Sequence, residues 1–185
     1  MIKVASGIYR SRALKSPQGR EVRPTSILVK QALFNMLAPY IRGAHVLELF
    51  CGSGQLGIEA LSNGAECVVF VDSSKESVSL TRENLHMLGL NSEVLHMPFE
   101  EACLLLDRRQ ERFDVILADP PYSGGAYPTI QKLAAQSNLL QKNGILALEF
   151  DTHMPPEFSS SFTLLRQKSY GRRSLALLQK KDSNE

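Results

Sequence analysis

Asp119-Pro120-Pro121-Tyr122 is the stretch of this chain whose residue types most directly suggest chemistry. It follows residues 113–118, a mostly β-favouring apolar run that predicts a buried strand, so it sits at a strand's carboxyl end. Open α/β sheets place their ligand sites there. Two consecutive prolines fix φ and remove two N–H donors, which leaves the Asp119 carboxylate and the Pro120 carbonyl as acceptors in a stiff loop beside an aromatic ring. Such a set suits a flat base with an exocyclic amino group. The NH2 would donate to Asp119 and Pro120 while Tyr122 stacks on the base face, drawing the nitrogen lone pair out of conjugation and making it a nucleophile. Asp-Pro-Pro can also be no more than a turn; its place after an apolar strand is what favours chemistry.

A nucleophile of this kind needs a donor, and a second loop is suited to one. Residues 45–50 predict a strand containing Glu48, followed by Cys51-Gly52-Ser53-Gly54-Gln55-Leu56-Gly57. A helix over residues 55–62 then aims its N-terminal dipole at the same place. Asp72, closing a strand over residues 66–71, is placed to accept from both ribose hydroxyls of an adenosine. The glycine pattern also matches a dinucleotide fingerprint, a weak signal alone. A dinucleotide requires a seat for its pyrophosphate, whereas S-adenosylmethionine requires backbone donors for its carboxylate and negative surroundings for its ammonium. Glu48 supplies negative charge and would do little for a pyrophosphate, and the second domain of most dehydrogenases is missing at this length. The balance favours S-adenosyl-L-methionine as cofactor.

The elements that must position these loops are legible as a series. Residues 3–5 and 8–14 predict a β-hairpin with Arg10 and Arg12 on one face. After Pro24, Thr25 or Ser26 would cap a helix with Val29, Ala32, Leu33 and Met36 on its buried side, ending near Pro39. Residues 73–76 predict a capping box, and Val78, Thr81, Leu85 and Leu88 the buried face of the helix that follows. A strand over 93–97, a helix from Pro98-Phe99 and the strand over 113–118 come next, then a connector over 123–126, a helix over 128–140 and a strand over 144–150. Residues 162–169 and 174–179 predict a close hairpin around Tyr170-Gly171-Arg172-Arg173, whose two arginines either extend the N-terminal basic charge or solvate the turn, the second reading being favoured. The expected fold class is α/β, a mostly parallel sheet closed by an antiparallel hairpin. Its expected divisions are a basic N-terminal extension over residues 1–24, a main domain over 25–181 and a disordered tail over 182–185.

Composition agrees with a soluble globular domain: 185 residues, 43% hydrophobic and 22% charged. The net charge of +2 is unevenly spread, since residues 1–30 hold seven basic residues against Glu21 alone and the remainder is net acidic. A segregated basic patch is the footprint of a polyanion, and Arg10, Arg12, Lys15 and Arg20 are candidate phosphate contacts. No apolar run reaches membrane-spanning length and no signal-peptide pattern opens the chain, which predicts a cytoplasmic location without membrane attachment. Cys51, Cys67 and Cys103 lack zinc-site or disulfide-framework spacing and the four histidines are scattered, so no metal is expected. Cys51 is read as structural, because methylation of an amino group requires no covalent nucleophile.

The tetrapeptide at Asp119 resembles the (Asp/Asn/Ser)-Pro-Pro-(Tyr/Phe) signature of methyltransferases acting on exocyclic amino groups. An ordered set of further segments is more specific: residues 7–14 (Gly-Ile-Tyr-Arg-Ser-Arg-Ala-Leu), Arg23-Pro24-Thr25, residues 30–37 and residues 47–61. Together they resemble the bacterial RsmD family, which methylates the N2 amino group of one guanine in 16S ribosomal RNA. The resemblance implies a class I S-adenosylmethionine-dependent methyltransferase fold, Rossmann-like and seven-stranded, with a small N-terminal hairpin extension. It also implies 16S rRNA within the 30S subunit or an assembly intermediate as substrate. Carried over, Glu48, Phe50, Gly52, Ser53 and Gly54 would hold the methionine part of the cofactor, Asp72 its ribose, Arg23 and Thr25 the region of its carboxylate, and Phe99 would pack on its adenine. Asp119, Pro120, Pro121 and Tyr122 would hold a flipped guanine for direct in-line transfer. Ser11 stands where the family usually has glycine and Glu48 where aspartate is common, while His96-Met97-Pro98-Phe99 lacks the Asp or Asn that often binds the adenine amino group. The competing readings are a DNA or RNA adenine-N6 methyltransferase, although no target-recognition domain is present, and a noncatalytic RNA-binding assembly factor.

Overall fold

Short apolar runs without polar alternation need cover on both faces, and this chain supplies it by crossing over with a helix after four of them. The computed structural model describes residues 2–16, 27–121 and 125–182. In chain order these form β1 (Ile2–Lys3), β2 (Ala13–Leu14), α1 (Ile27–Ile41), β3 (His45–Leu49), α2 (Gln55–Ser62), β4 (Cys67–Asp72) and α3 (Lys75–Met87). There follow β5 (Val94–His96), α4 (Phe99–Arg108), β6 (Phe113–Ala118), α5 (Ala126–Gln136), β7 (Leu140–Asp151), β8 (Phe162–Tyr170) and β9 (Arg173–Lys180). Seven strands make one sheet in the order β5-β4-β3-β6-β7-β9-β8. All neighbours are parallel except β9, which runs antiparallel to both β7 and β8. The expected mostly parallel sheet with a C-terminal antiparallel hairpin is therefore present.

The alternation of side chains along each strand divides the core into two. Val46, Phe70 and Val115 join Leu33, Leu37 and Ile58 in one cluster, while Leu47, Val71 and Ile116 join Ala102, Leu106 and Ile130 in the other. The chain leaves β3 first towards β4 and β5 and later towards β6 and β7, so the strand order reverses between β3 and β6. A crevice at such a reversal is where this architecture holds ligands.

The expected small N-terminal hairpin is present, but it is shorter than its alternation suggested. Only Ile2 with Leu14 and Lys3 with Ala13 pair as strands, so Arg10 lies in the turn between them and Arg12 just before β2, not together on one strand face. Val4 still exchanges backbone hydrogen bonds with Ser11 and Arg12, but the stretch over residues 5–9 finds its partners on α2. The Glu59 carboxylate, fully buried, accepts from the N–H groups of Ala5 (2.9 Å) and Ser6 (2.6 Å) and from the Ser6 hydroxyl (2.7 Å). The N–H of Ile8 donates to the Ser62 carbonyl at 2.8 Å, and that of Tyr9 to the Ser62 hydroxyl at 2.9 Å. Gly7 must be glycine, because at φ 75° a Cβ would lie 1.9 Å from the Ser62 carbonyl oxygen. Ser11 takes φ 68°, the left-handed conformation that costs a residue with a side chain about 1 kcal/mol, which accounts for glycine being usual there in the family it resembles.

Three further boundaries differ for identifiable reasons. Helix α1 runs through Pro39 to the buried Ile41, since packing by Leu37 and Ile41 outweighs the one hydrogen bond that a proline near the helix end removes. The cap of α3 is Ser74, whose hydroxyl accepts from the Ser77 N–H, not the expected box from Ser73 to Glu76. Helix α5 stops at Gln136 because the Ser137 hydroxyl donates to the Leu133 carbonyl and accepts from the Leu139 N–H; β7 can then start at Leu140. At the far edge β8 is exposed along nearly its whole length, and its register with β9 shifts between Leu164 and Arg166. Among the described residues no helix is long and apolar enough to cross a membrane.

Candidate active site

Register assembles the site. Leu49 pairs with both Val71 and Ala118, so the next residues of three adjacent strands, Phe50, Asp72 and Asp119, emerge side by side at the carboxyl end of the sheet. The expected sites on β3, β4 and β6 thus come together, and they do so at the reversal of strand order. Pro120 is buried and Pro121 exposed. Arg20, Arg23, Thr25 and Tyr122 lie outside the described residues.

The loop after β3 is shaped by left-handed residues: Phe50 at φ 61°, Gly52 at φ 57° and Gly54 at φ 74°. Two side chains of α3 hold its carbonyls outward. The Thr81 hydroxyl donates to the Gly52 carbonyl at 3.0 Å, and the Asn84 amide donates to the Ser53 carbonyl at 2.9 Å. Asn84 also exchanges two hydrogen bonds with the Lys15 backbone, tying the N-terminal segment to the same loop. Sequence reading took Thr81 only as a marker of the buried face and passed over Asn84. Two polar residues at i and i+3 on a buried helix face were the available signal, because buried polar groups need partners. Ser53 is buried, and a Cβ on Gly52 would meet nothing within 4 Å, which leaves that side of the loop open to a ligand.

Asp72 anchors the loop from the other side. Its Oδ2 accepts from the Gly52 N–H and its Oδ1 from the Ser74 N–H, both at 2.8 Å. Each oxygen keeps a lone pair, enough for two ribose hydroxyls. Beside it, Phe50, Val71, Asp72, Ser73, Pro98, Phe99 and Glu100 line a cavity of about 170 Å³. The Phe50 and Phe99 rings stand 4.9 Å apart at 48°. His96 contacts the Ser73 carbonyl at 3.1 Å through Nε2 and so braces this wall. Glu100, in the first turn of α4, brings a carboxylate to the cavity that sequence reading had not named.

Glu48 is buried on β3, its Oε2 accepting from the Gly57 N–H at 2.9 Å. Burial pushes its carboxyl up to about 8; the Gly57 and Leu56 N–H groups oppose this, and the negative charges of Asp72 and Asp119 add to it. The expectation of a standing negative charge is thereby refined, since at neutral pH and without a cation nearby Glu48 holds a proton. Its folded value lies above the unfolded one, so its contribution to stability is full below the unfolded value and is lost as pH rises through about 8. Between pH 5 and 8 the unfolding free energy of the cofactor-free protein should fall from this group by roughly 1 kcal/mol per pH unit. Glu48→Gln should flatten that slope in a series of denaturant titrations; an unaltered slope would refute the assignment.

Several basic residues behave otherwise than their sequence suggested. Lys30 is fully buried and donates to the Lys3 carbonyl at 2.7 Å, with burial lowering its pKa, so it adds nothing to a surface patch. Lys15 pairs with Glu83 at 2.8 Å, while Arg10 and Arg12 remain exposed. The expectation that Arg172 and Arg173 merely solvate a turn is corrected. Arg172 pairs with Asp151 at 3.1 Å, and Arg173 lies inward, bonded to the buried Glu149 and 3.9 Å from the Asp119 carboxylate. Burial raises the pKa of Asp119 to about 6, with Arg173 pulling it back. Burial also raises the thiol pKa of Cys51, as befits a structural residue.

The family described as Conserved hypothetical protein 95, that of RsmD, matches residues 2–179. This chain belongs to the RsmD family. It is 34% identical to the Bacillus subtilis protein YlbH, over 97% of this chain and 100% of that one. It is 32% identical to the Haemophilus influenzae ribosomal RNA small subunit methyltransferase D, over 96% of this chain and 93% of that one. Among solved structures, the Escherichia coli protein yhhF superposes with a TM-score of 0.84 at 28% identity, over 97% and 98% of the two chains. The fold is that of the class I methyltransferases.

The cofactor of an RsmD-family protein is S-adenosylmethionine, and the residues present fit it. Three carboxylates, Glu48, Asp72 and Asp119, converge where a sulfonium and an ammonium would lie. In the loop leading into α2 the N–H groups of Gly52, Gly54 and Gly57 are already bonded to Asp72, Cys51 and Glu48, which leaves those of Ser53 and Gln55 at the helix N-terminus for a carboxylate. Gln55, at the first turn of α2, also keeps a buried side-chain oxygen with no hydrogen-bond partner among the described residues.

Proposed function

We propose that this protein methylates the exocyclic N2 amino group of a guanine in 16S rRNA, presented on the small ribosomal subunit or an assembly intermediate. The observation that carries this reading is the half-buried Asp119 carboxylate, 30% exposed, delivered by β6 beside Asp72 at the reversal of the sheet. A guanine amino group placed there donates one N–H to Asp119 and the other to the Pro120 carbonyl. The cofactor supplies a methyl group already activated as a sulfonium, so the protein contributes chiefly orientation, worth roughly 7–11 kcal/mol in well-aligned cases. Asp119 acts by holding the NH2 and stabilising the positive charge that develops on nitrogen, whose proton is then lost. Glu48, Ser53 and the backbone of Gly52 and Gly54 hold the methionine part, Asp72 holds the ribose, and Phe50, Phe99 and Glu100 wall the adenine. Arg23, Thr25 and Tyr122 retain in this proposal the roles that family resemblance implies for them. Arg10 and Arg12, with Arg20, contact phosphates and offset the few kcal/mol that exposing a base costs, so binding weakens as salt rises.

The test is to incubate the protein with labelled S-adenosylmethionine and 30S subunits from cells lacking the enzyme, then to identify the labelled nucleoside. N2-methylguanosine at a single site is expected. Label on adenine would transfer the protein to the base-N6 methyltransferases, and no label despite cofactor binding would leave a noncatalytic RNA-binding role.

A further inference from the structure

The mechanism uses Asp119 but not the cation beside it. Arg173 opens β9, where it pairs in register with Asp151 of β7, and its guanidinium reaches two carboxylates. One belongs to Glu149 of β7, 2% exposed, to which it is directly bonded. The other is the Asp119 Oδ2, at 3.9 Å. Its neighbour Arg172 is 75% exposed and bonds Asp151 instead, whereas Arg173 is 22% exposed. Two consecutive arginines of one turn therefore have different tasks.

Consider what Asp119 must do. To accept from an amino group its carboxyl must be ionised, because a protonated oxygen becomes a donor and competes with the NH2. Burial works against ionisation, and so does the negative charge that Glu48 of β3 and Asp72 of β4 carry when ionised. The cation set against them is Arg173. A direct bidentate pair would settle the charge but occupy the lone pairs that the substrate needs. At 3.9 Å the guanidinium supplies its field without that occupation, and its bond to buried Glu149 keeps it from swinging out to solvent. We propose that Arg173, anchored on Glu149, is the positioning residue for Asp119, holding it ionised and oriented while leaving its acceptor sites to the target amine. The inference rests on the reading of Asp119 as the acceptor of that amine.

The test compares wild type, Arg173→Lys, Arg173→Met and the double variant Arg173→Met/Glu149→Gln. The double variant is included because Arg173→Met alone leaves Glu149 buried without its cation, which is strongly destabilising. The first readout is the titration of Asp119 by carboxyl-carbon NMR in protein carrying labelled aspartate and saturated with S-adenosylmethionine. Loss of Arg173 should raise the midpoint by about one pH unit or more, and Arg173→Lys should restore most of it. The second is methyl transfer to 30S subunits as a function of pH. The acid limb should move by the same amount with roughly a tenfold loss at the pH of the wild-type limb, while the affinity for S-adenosylmethionine stays within about twofold. An unmoved Asp119 midpoint in the folded double variant overturns the inference. A wild type that methylates no guanine while the midpoint still shifts defeats the functional reading and leaves the Arg173–Asp119 coupling established.

Discussion

Asp119→Ala should lower the rate of methyl transfer roughly 10²–10³-fold while leaving S-adenosylmethionine bound, the scale on which removal of one preorganised electrostatic group acts. The split follows from where the side chain sits. Asp119 directly follows β6, whereas Glu48, Asp72 and the loop backbone that would serve the cofactor lie on β3, on β4 and after β3. Alanine removes the acceptor without adding bulk, and Arg173 keeps Glu149 as its partner, so the fold has little reason to suffer. Single-turnover methylation beside calorimetric cofactor binding checks this, and a rate within about threefold of wild type would sink the mechanism. The same side chain sets an acid limb. The ionised form is the acceptor and burial raises its midpoint to about 6, so the wild-type rate should climb as pH rises through that value.

Gly57→Ala should destabilise the protein by roughly 3 kcal/mol, the upper part of the range for overpacking a core. An added Cβ would lie 2.3 Å from the Phe70 Cε1, 2.7 Å from its Cζ and 2.7 Å from the Glu48 Oε2. None can retreat cheaply. Phe70 is fully buried within the sheet, and Glu48 is held by the Gly57 N–H itself. Relief has to come from lifting α2 off β3 and β4, which carries the loop over residues 50–54 with it, so cofactor affinity should fall together with stability. The transition would move down by roughly 6–12 °C for a chain of this size. An unchanged melting temperature would show that α2 has slack that the contacts deny.

These contrasts explain what could be read in advance. The bounds of α2 and β6 and the meeting of Asp72 with Asp119 were legible, because apolar runs, glycine spacing and strand-end placement are local signals. The N-terminal segment was legible as a small hairpin but not in its extent. Its alternation suggested longer strands, but the carboxylate that satisfies Ala5 and Ser6 comes from Glu59, more than fifty residues away, and nothing local distinguishes Glu59 from an exposed helical acid. Lys30 was misleading in the same way: on a helix its charge reads as surface, yet it is buried against the Lys3 carbonyl. Arg172 and Arg173 are chemically identical neighbours. Only the antiparallel pairing of β9 with β7 turns one towards the site, and that pairing joins distant parts of the chain.

The edges of the sheet bear on how this protein keeps company with copies of itself. An open strand edge is a template on which another chain can add a strand. One edge, β5, is only three residues long. The other, β8, runs for nine residues, but it is interrupted by the extra residue Leu165 and carries Arg166 and Lys168. A bulge and cationic side chains are the devices that blunt such an edge. The hairpin that brings Arg173 beside Asp119 thus ends the sheet in a strand ill suited to growth by edge addition.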